Sequence, residues 1–317
     1  MKKVLLVALV HHNADKLTRL IWSAHSQIQA NLQVAGLVVC NTTNPAFVSE
    51  ARDVATRFGW MFQQTESNGM PGKGKNSALE LFLQTSGFDY MFLMDGDDFL
   101  YPTAFGQIEQ LTRVGSDVIG LLTNDIIETQ VLEVQSHIPI SGGKYLYSWF
   151  DEQVRWPCLE SQKPRLDLSK PLGEQNTPDR IVLFSRKAAE MLRCSEKLPV
   201  YEDYVLSLRA RIAMLRGELT YTHCGTTYLY VYDKTDSTSV CKEFDRTHNG
   251  NWSAYDSTFR EELGEDLSQL LQTQAHDVPF VQINHPTEFT TRNKLQFLSY
   301  VLSISTWQQP NINIQSK

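Results

Sequence analysis

Seven consecutive apolar residues, Val4 to Val10, form a run that suits a strand covered on both faces. The pattern that follows alternates. Asn13 is placed to cap a helix in which Leu17, Leu20, Ile21, Ala24 and Ile28 share one face. Val34 to Val39 predicts a second buried strand, and Val48, Ala51, Val54, Ala55 and Phe58 mark a second helix. Lys75 to Thr85 predicts a third helix closed by Gly87, and Phe88 to Met94 a third strand. Pro102 suits a first helical turn, with Phe105, Ile108 and Leu111 at helical spacing behind it, and Asp117 to Leu122 predicts another strand. Such alternation implies an α/β, Rossmann-like class: a mainly parallel sheet flanked by helices. Ligands of these sheets bind beyond the carboxyl ends of the strands.

From Ser141 to Pro178 the pattern breaks into a loop-rich stretch punctuated by Gly142-Gly143 and four prolines, and carrying Tyr145, Tyr147, Trp149 and Trp156. Long irregular segments in compact domains are often functional. Arg180 to Phe184 predicts a strand and Tyr201 to Arg216 a helix ended by Gly217. Thr220 to Tyr232 predicts a long strand or a strand pair, and helical patterns follow Ser253, including one through Leu295, Leu298, Val301 and Leu302. The tail from Pro310 is expected to fray.

With 317 residues and 42% hydrophobic content, the chain can bury a sizeable core as one large domain with elaborations or two unequal lobes. A net charge of -7 provides no general field for phosphate backbones, although a local basic groove stays open. The five cysteines, Cys40, Cys158, Cys194, Cys224 and Cys241, are scattered and include no C-x-x-C, which points to buried thiols in a reducing, cytoplasmic setting. The N-terminal apolar run is short, meets His11-His12-Asn13 and lacks a small-x-small site, so it reads as a first strand rather than a leader. No stretch reaches the roughly 18 apolar residues of a membrane span, so no transmembrane segment is expected.

The chemistry concentrates in Met91-Phe92-Leu93-Met94-Asp95-Gly96-Asp97-Asp98. Three carboxylates within four residues, directly after a buried strand, raise one another's pKa unless a cation offsets them. Hard divalent ions, Mn²⁺ or Mg²⁺, prefer carboxylate and phosphate oxygens, and Gly96 permits a tight turn. A solvated acidic turn is the bland alternative.

With this motif the chain resembles the GT-A nucleotide-diphospho-sugar glycosyltransferases, particularly the family-2-like group, over about residues 1 to 235. The resemblance implies that Asp95 lies on the ribose side and also touches the metal. Asp97 would be the principal metal ligand, and Asp98 would complete or orient the shell. Asn68-Gly69-Met70-Pro71-Gly72-Lys73-Gly74-Lys75-Asn76 is similar to the family's Asn/Gly-rich segment, in which Asn68, Lys73 and Lys75 would attend a diphosphate at a helix N-terminus. Glu202-Asp203, opening a helix, resembles the family's Glu-Asp motif, with Asp203 as base and Glu202 as orienter or alternate; acidic residues also favour helix starts for structural reasons. Tyr232 to Ser239 matches a segment that closes over the donor, where Lys234 would neutralise the departing diphosphate. His248 or His223 would add a metal ligand, against the plain alternative of a structural histidine. His11 and Asn13, after the first strand, would help form the nucleotide pocket.

The chain also departs from the family. An acidic base-reading residue is usual after the second strand, but Asn41 stands there and would hydrogen-bond a nucleobase with a different donor and acceptor set. The Q-x-x-R-W motif of processive members is missing, which implies single transfer. The expected organisation is a GT-A catalytic domain over 1–240, with a nucleotide-sugar-binding half at 1–125 and an acceptor-binding half at 126–240, followed by a helical C-terminal extension over 241–317. The expected donor is a nucleotide-diphospho-sugar. The acceptor is open among a glycan, a lipid-linked sugar, a protein and a modified nucleic-acid base. Inversion of configuration is expected by analogy. The alternatives are a sugar-1-phosphate nucleotidyltransferase, whose early glycine/arginine-rich loop is absent from Val10 to Asp15, an aspartate phosphatase of the haloacid-dehalogenase type, and a non-catalytic sugar-binding module.

Overall fold

The structure, a computed structural model, describes residues 1–27, 31–121, 125–128, 137–140, 144–149, 180–225, 229–233, 240–249, 251–273 and 278–283. The first part of the chain alternates as β1 (Lys3–Val10), α1 (Ala14–His25), β2 (Gln33–Cys40), α2 (Pro45–Arg57), β3 (Met61–Gln64), α3 (Pro71–Gln84), β4 (Tyr90–Asp95), β5 (Phe99–Leu100), α4 (Ala104–Val114) and β6 (Val118–Leu121). Then come β7 (Asp125–Glu128), β8 (His137–Ile140), β9 (Lys144–Trp149), β10 (Arg180–Ser185), α5 (Arg186–Met191), α6 (Glu202–Leu215), β11 (Tyr221–Gly225), β12 (Tyr230–Asp233), α7 (Val240–His248), α8 (Asp256–Thr273) and β13 (Phe280–Gln282).

The described strands form an eight-stranded sheet in the order β13-β11-β6-β10-β4-β1-β2-β3. Its pairings are parallel except those of β10, which runs antiparallel to both β4 and β6. This is the α/β class that the alternation implies. A smaller sheet has the order β5-β12-β7-β9-β8.

Every residue of the run Val4 to Val10 is buried, and the strand period sends alternate side chains to opposite cores. Val4, Leu6, Ala8 and Val10 pack with Leu17 and Leu20 of α1, Ala51 of α2 and Ile108 of α4. Leu5, Val7 and Leu9 pack with Leu79 and Phe82 of α3, Ala188 of α5 and Leu206 of α6. Each buried Leu or Val contributes about 1.5–3 kcal/mol, so a polar residue anywhere in β1 would disturb one face or the other.

The chain runs outward from β1 through β2 to β3, then crosses back over α3 to place β4 on the other side of β1. That reversal makes the carboxyl ends of β1 and β4 a topological switch point, the usual ligand position in such sheets.

Several elements differ from the sequence reading. The strand ending in Asp95 is the fourth, because Met61–Gln64 is a short strand on the sheet edge. Its polar Gln63 and Gln64 are exposed, so no apolar run marks it. Residues 144–149, inside the stretch read as loop, form β9 between β7 and β8; Trp156 and the rest of that stretch to Pro178 lie outside the described residues. The Thr220 to Tyr232 run divides into β11 and β12, which belong to different sheets. Helix α3 starts at Pro71, so Lys73 and Lys75 belong to its first turns. After α7 and α8 the chain returns to the large sheet as β13, so the C-terminal part is not helical throughout. The helix expected through Leu295 to Leu302 lies outside the described residues. Among the described residues no helix is long and apolar enough to cross a membrane.

Candidate active site

Asp95 is the last residue of β4, and β5 begins at Phe99, so the acids occupy the link between the two sheets. The link is tight. The Gly96 amide donates to the Leu9 carbonyl at 2.7 Å, and the Asp98 amide to the Asp95 carbonyl at 3.2 Å. A Cβ on Gly96 would stand 2.1 Å from Val10 Cγ1, so only glycine lets the turn lie against β1. The fold thereby gathers the acids: one carboxylate oxygen from each of Asp95, Asp97 and Asp98 lies within 4.8 Å of the others. Asp98 is fully buried, and Asp95 and Asp97 are partly exposed. The donor set, all carboxylate and at close range, fits a hard divalent cation such as Mn²⁺ or Mg²⁺.

The protein supplies a cation of its own here, which the sequence reading missed. Arg180, at the start of β10, places Nη2 2.5 Å from Asp95 Oδ2 and 3.5 Å from Asp98 Oδ2. β10 runs antiparallel to β4 with Leu183 opposite Phe92. Its first residue therefore comes to the end of the sheet where β4 finishes. Burial alone would raise the Asp95 pKa, but Arg180 and then Lys75 more than offset it and hold the carboxyl below its usual range. Because folding lowers this pKa, the stabilisation is complete above about pH 4 and is lost only as the pH falls through the folded-state value. Asp95 is therefore an anion at neutral pH. A second arginine, Arg19 of α1, donates to the Asp97 carbonyl at 3.3 Å and lies 5.1 Å from the Phe99 ring centroid, fixing the acidic turn from its other side.

The second carboxylate pair opens α6. Tyr201, at its N-cap, has φ 66, a left-handed conformation uncommon for a residue with a bulky side chain. Glu202 is buried and Asp203 partly exposed. Lys75 reaches across from α3, with Nζ 2.7 Å from Glu202 Oε1, both side chains being almost wholly buried. Burial opposes its charge, yet Glu202, then Asp95 and Asp203, drive the Lys75 pKa well upward. One ammonium thus feels carboxylates from both motifs. This differs from the expectation of a lysine directed at a diphosphate: Lys75 is held by Glu202. Lys73, two residues earlier in α3, is exposed. Burial already raises the Glu202 pKa, so substituting Lys75 by Met would leave a buried carboxyl without its counter-charge, and urea denaturation should show a loss of about 3–5 kcal/mol; adding Glu202→Leu should restore most of it. An unchanged midpoint for the single variant would show that the pair does not hold the two helices.

Asn41 is also used internally. Its amide donates to the Met70 carbonyl at 3.2 Å, and its oxygen accepts from the Ser67 hydroxyl and, at 3.1 Å, from the Gly69 amide. It is 2% exposed, so it shapes the 65–70 loop rather than facing outward to read a base. Asn68 is exposed at the tip of that loop, in a left-handed conformation, and accepts from the Thr43 hydroxyl at 2.9 Å. His11, beyond β1, stacks edge-on against His12, and a Cβ on Gly69 would come within 2.5 Å of its Nε2. Burial, then His12, lowers its pKa, so the ring stands neutral at pH 7. Asn13 caps α1 by accepting from the Lys16 amide at 3.1 Å, as its position predicts.

The candidate histidine ligands stand elsewhere. His248 ends α7, stacked on Phe244 at 4.3 Å with Tyr255 beside it, and is not part of the acidic group. His223 is buried in β11 against Tyr221. Aromatic packing outcompetes metal ligation as the reading of both. Lys234 lies outside the described residues. Cys40, Cys194 and Cys224 are buried free thiols, with burial pushing Cys40 up to about 11, which fits their reading as small apolar residues.

No family model matches the chain, and no curated protein matches it. Solved structures of S. aureus TarS do. The first is 15% identical with a TM-score of 0.46, and the match covers 86% of this chain and 44% of that one. TarS 1-349 in complex with UDP is 16% identical with a TM-score of 0.45, over 86% of this chain and 72% of that one. TarS 1-349 in complex with UDP-GlcNAc is 14% identical with a TM-score of 0.46, over 86% and 73%. The chain therefore spans less than half the length of the longer TarS chain.

Proposed function

We propose that this chain is a metal-dependent glycosyltransferase that moves a sugar from a nucleotide-diphosphate donor to an acceptor hydroxyl. The observation that carries the proposal is the linkage of two carboxylate sets through one lysine: Asp95, Asp97 and Asp98 cluster together, and Lys75, paired with Glu202, also feels Asp95 and Asp203. An acid cluster alone suits any cation. A second, separate carboxylate at a helix start adds a base, and the pair of functions suits displacement of a diphosphate by a hydroxyl.

In this proposal Asp95, Asp97 and Asp98 would hold Mn²⁺ or Mg²⁺, which would offset the negative charge of the diphosphate. The exposed Lys73 and the rim formed by His11, Asn13 and Asn68 line the donor side. Asp203 takes the proton of the acceptor hydroxyl as its oxygen bonds to the anomeric carbon. The bond from that carbon to the diphosphate breaks, and the nucleoside diphosphate leaves with the electron pair. A single displacement of this kind inverts the anomeric centre. Glu202, tied to Lys75, holds the start of α6 in place. The nucleotide half of this reading is 1–125, the acceptor half 126–240, and the buried thiols suit a cytoplasmic setting.

A thermal-shift screen of UDP-, GDP-, CDP- and dTDP-sugars with Mn²⁺ tests the proposal. A nucleotide series at about 100 times its Kd should stabilise the native state by about 2.7 kcal/mol, and a chelator should remove the effect. The active donor should then release its nucleoside diphosphate when an acceptor is supplied. Stabilisation by none of the series, or release of pyrophosphate in place of nucleoside diphosphate, would overturn it.

A further inference from the structure

We propose that Arg180 is the resident counter-cation of the acidic turn and competes directly with a divalent ion for Asp95 and Asp98. The inference rests on the metal reading above and goes beyond it, because it assigns a role to a residue on a different strand.

Asp98 has no exposure, so its charge requires a partner inside the protein. Arg180 provides one, its Nη2 lying 2.5 Å from Asp95 Oδ2 and 3.5 Å from Asp98 Oδ2. A guanidinium does not lose its proton at any accessible pH, so this positive charge leaves the turn only by moving. The alternatives nearby are already engaged. Lys75 is held by Glu202, and Arg19 also reaches the turn, donating to the Asp97 carbonyl.

A divalent ion bound by the same acids must share Asp95 and Asp98 with the guanidinium, and like charges on shared carboxylates repel. Arg180 is part-exposed, with 20% of its side chain accessible, so solvent reaches the guanidinium that a divalent ion would displace. The planar guanidinium whose Nη2 faces both carboxylates also has the geometry to match a phosphate group. Arg180 therefore keeps the acids paired and the turn in shape before a cation binds. It yields when a cation arrives, and becomes available to an incoming diphosphate. Weak binding of metal alone follows directly.

Titration of the full chain with Mn²⁺ alone, read by loss of the free-ion electron paramagnetic resonance signal, tests this without activity. Arg180→Gln should bind Mn²⁺ about tenfold more tightly than the wild type, the equivalent of one charge-assisted contact removed. Arg180→Lys keeps a charge but lacks the fork, and should fall between the two. It serves as the second variant if Arg180→Gln fails to melt cooperatively. Equal or weaker Mn²⁺ binding by the folded variants overturns the competition. If Asp97→Asn nevertheless abolishes binding in that case, the metal reading survives. Binding by none of the proteins overturns both.

Discussion

Replacing Asp97 by alanine should lower turnover by about 10²–10³-fold while changing stability by less than about 1 kcal/mol. The two halves of this expectation have different causes. Asp97 contributes one of the three clustered carboxylates, so its loss removes a third of the oxygen donors available to a cation. Its side chain is nevertheless partly exposed, and Arg19 anchors the turn at this residue through the backbone carbonyl, which the substitution keeps. Asp98 gives the contrast. Fully buried and next to Arg180, it should lose stability as well as activity when neutralised. Steady-state release of nucleoside diphosphate, with urea melts of both variants, checks the pair. Undiminished turnover in Asp97→Ala would remove the metal from the proposed mechanism.

Asp203→Asn should be the second large effect, a fall of about 10²–10⁴-fold in kcat with little change in KM for the donor. Asparagine keeps the size of the side chain but cannot take the acceptor's proton. The fold should tolerate it, since an acidic residue in the first turn of a helix contributes only about 0.3–1 kcal/mol through the helix dipole. Glu202→Gln is the control that separates a base from a brace. It breaks the buried pair with Lys75, so it should depress the melting temperature where Asp203→Asn does not. A pH–rate profile of Asp203→Asn that retains the wild-type acid limb would transfer the base role elsewhere.

Much of the frame was readable in advance because local physics dictated it. The run Val4 to Val10 has no polar residue to turn toward water, so it had to lie between two layers, and it does. Asn13 had an open helix start ahead of it and caps it. Elements lacking such a signal stayed hidden. Met61–Gln64 sits on an edge where exposed glutamines are tolerated, and Arg186–Met191 is too short to show a period. Lys144–Trp149 is a strand through its neighbours β7 and β8, which a stretch broken by glycine and proline does not announce.

The acidic turn was legible from Asp95, Gly96, Asp97 and Asp98 alone, since like charges after a buried strand demand a counter-charge. Which charge answers the demand was not. Arg180 stands 85 positions along the chain from Asp95, and only the antiparallel insertion of β10 brings its guanidinium to the turn. Lys75 and Asn41 likewise carry donors that a sequence reader assigns to a ligand, while the packing of α3 against α6 and of β2 against the 65–70 loop assigns them to Glu202 and Met70. Burial pattern, caps and charge density are properties of neighbours in the chain, and the sequence determined those. Partner choice between charges depends on strand order and helix approach, which only the tertiary structure decided, because electrostatic pairing follows distance in space.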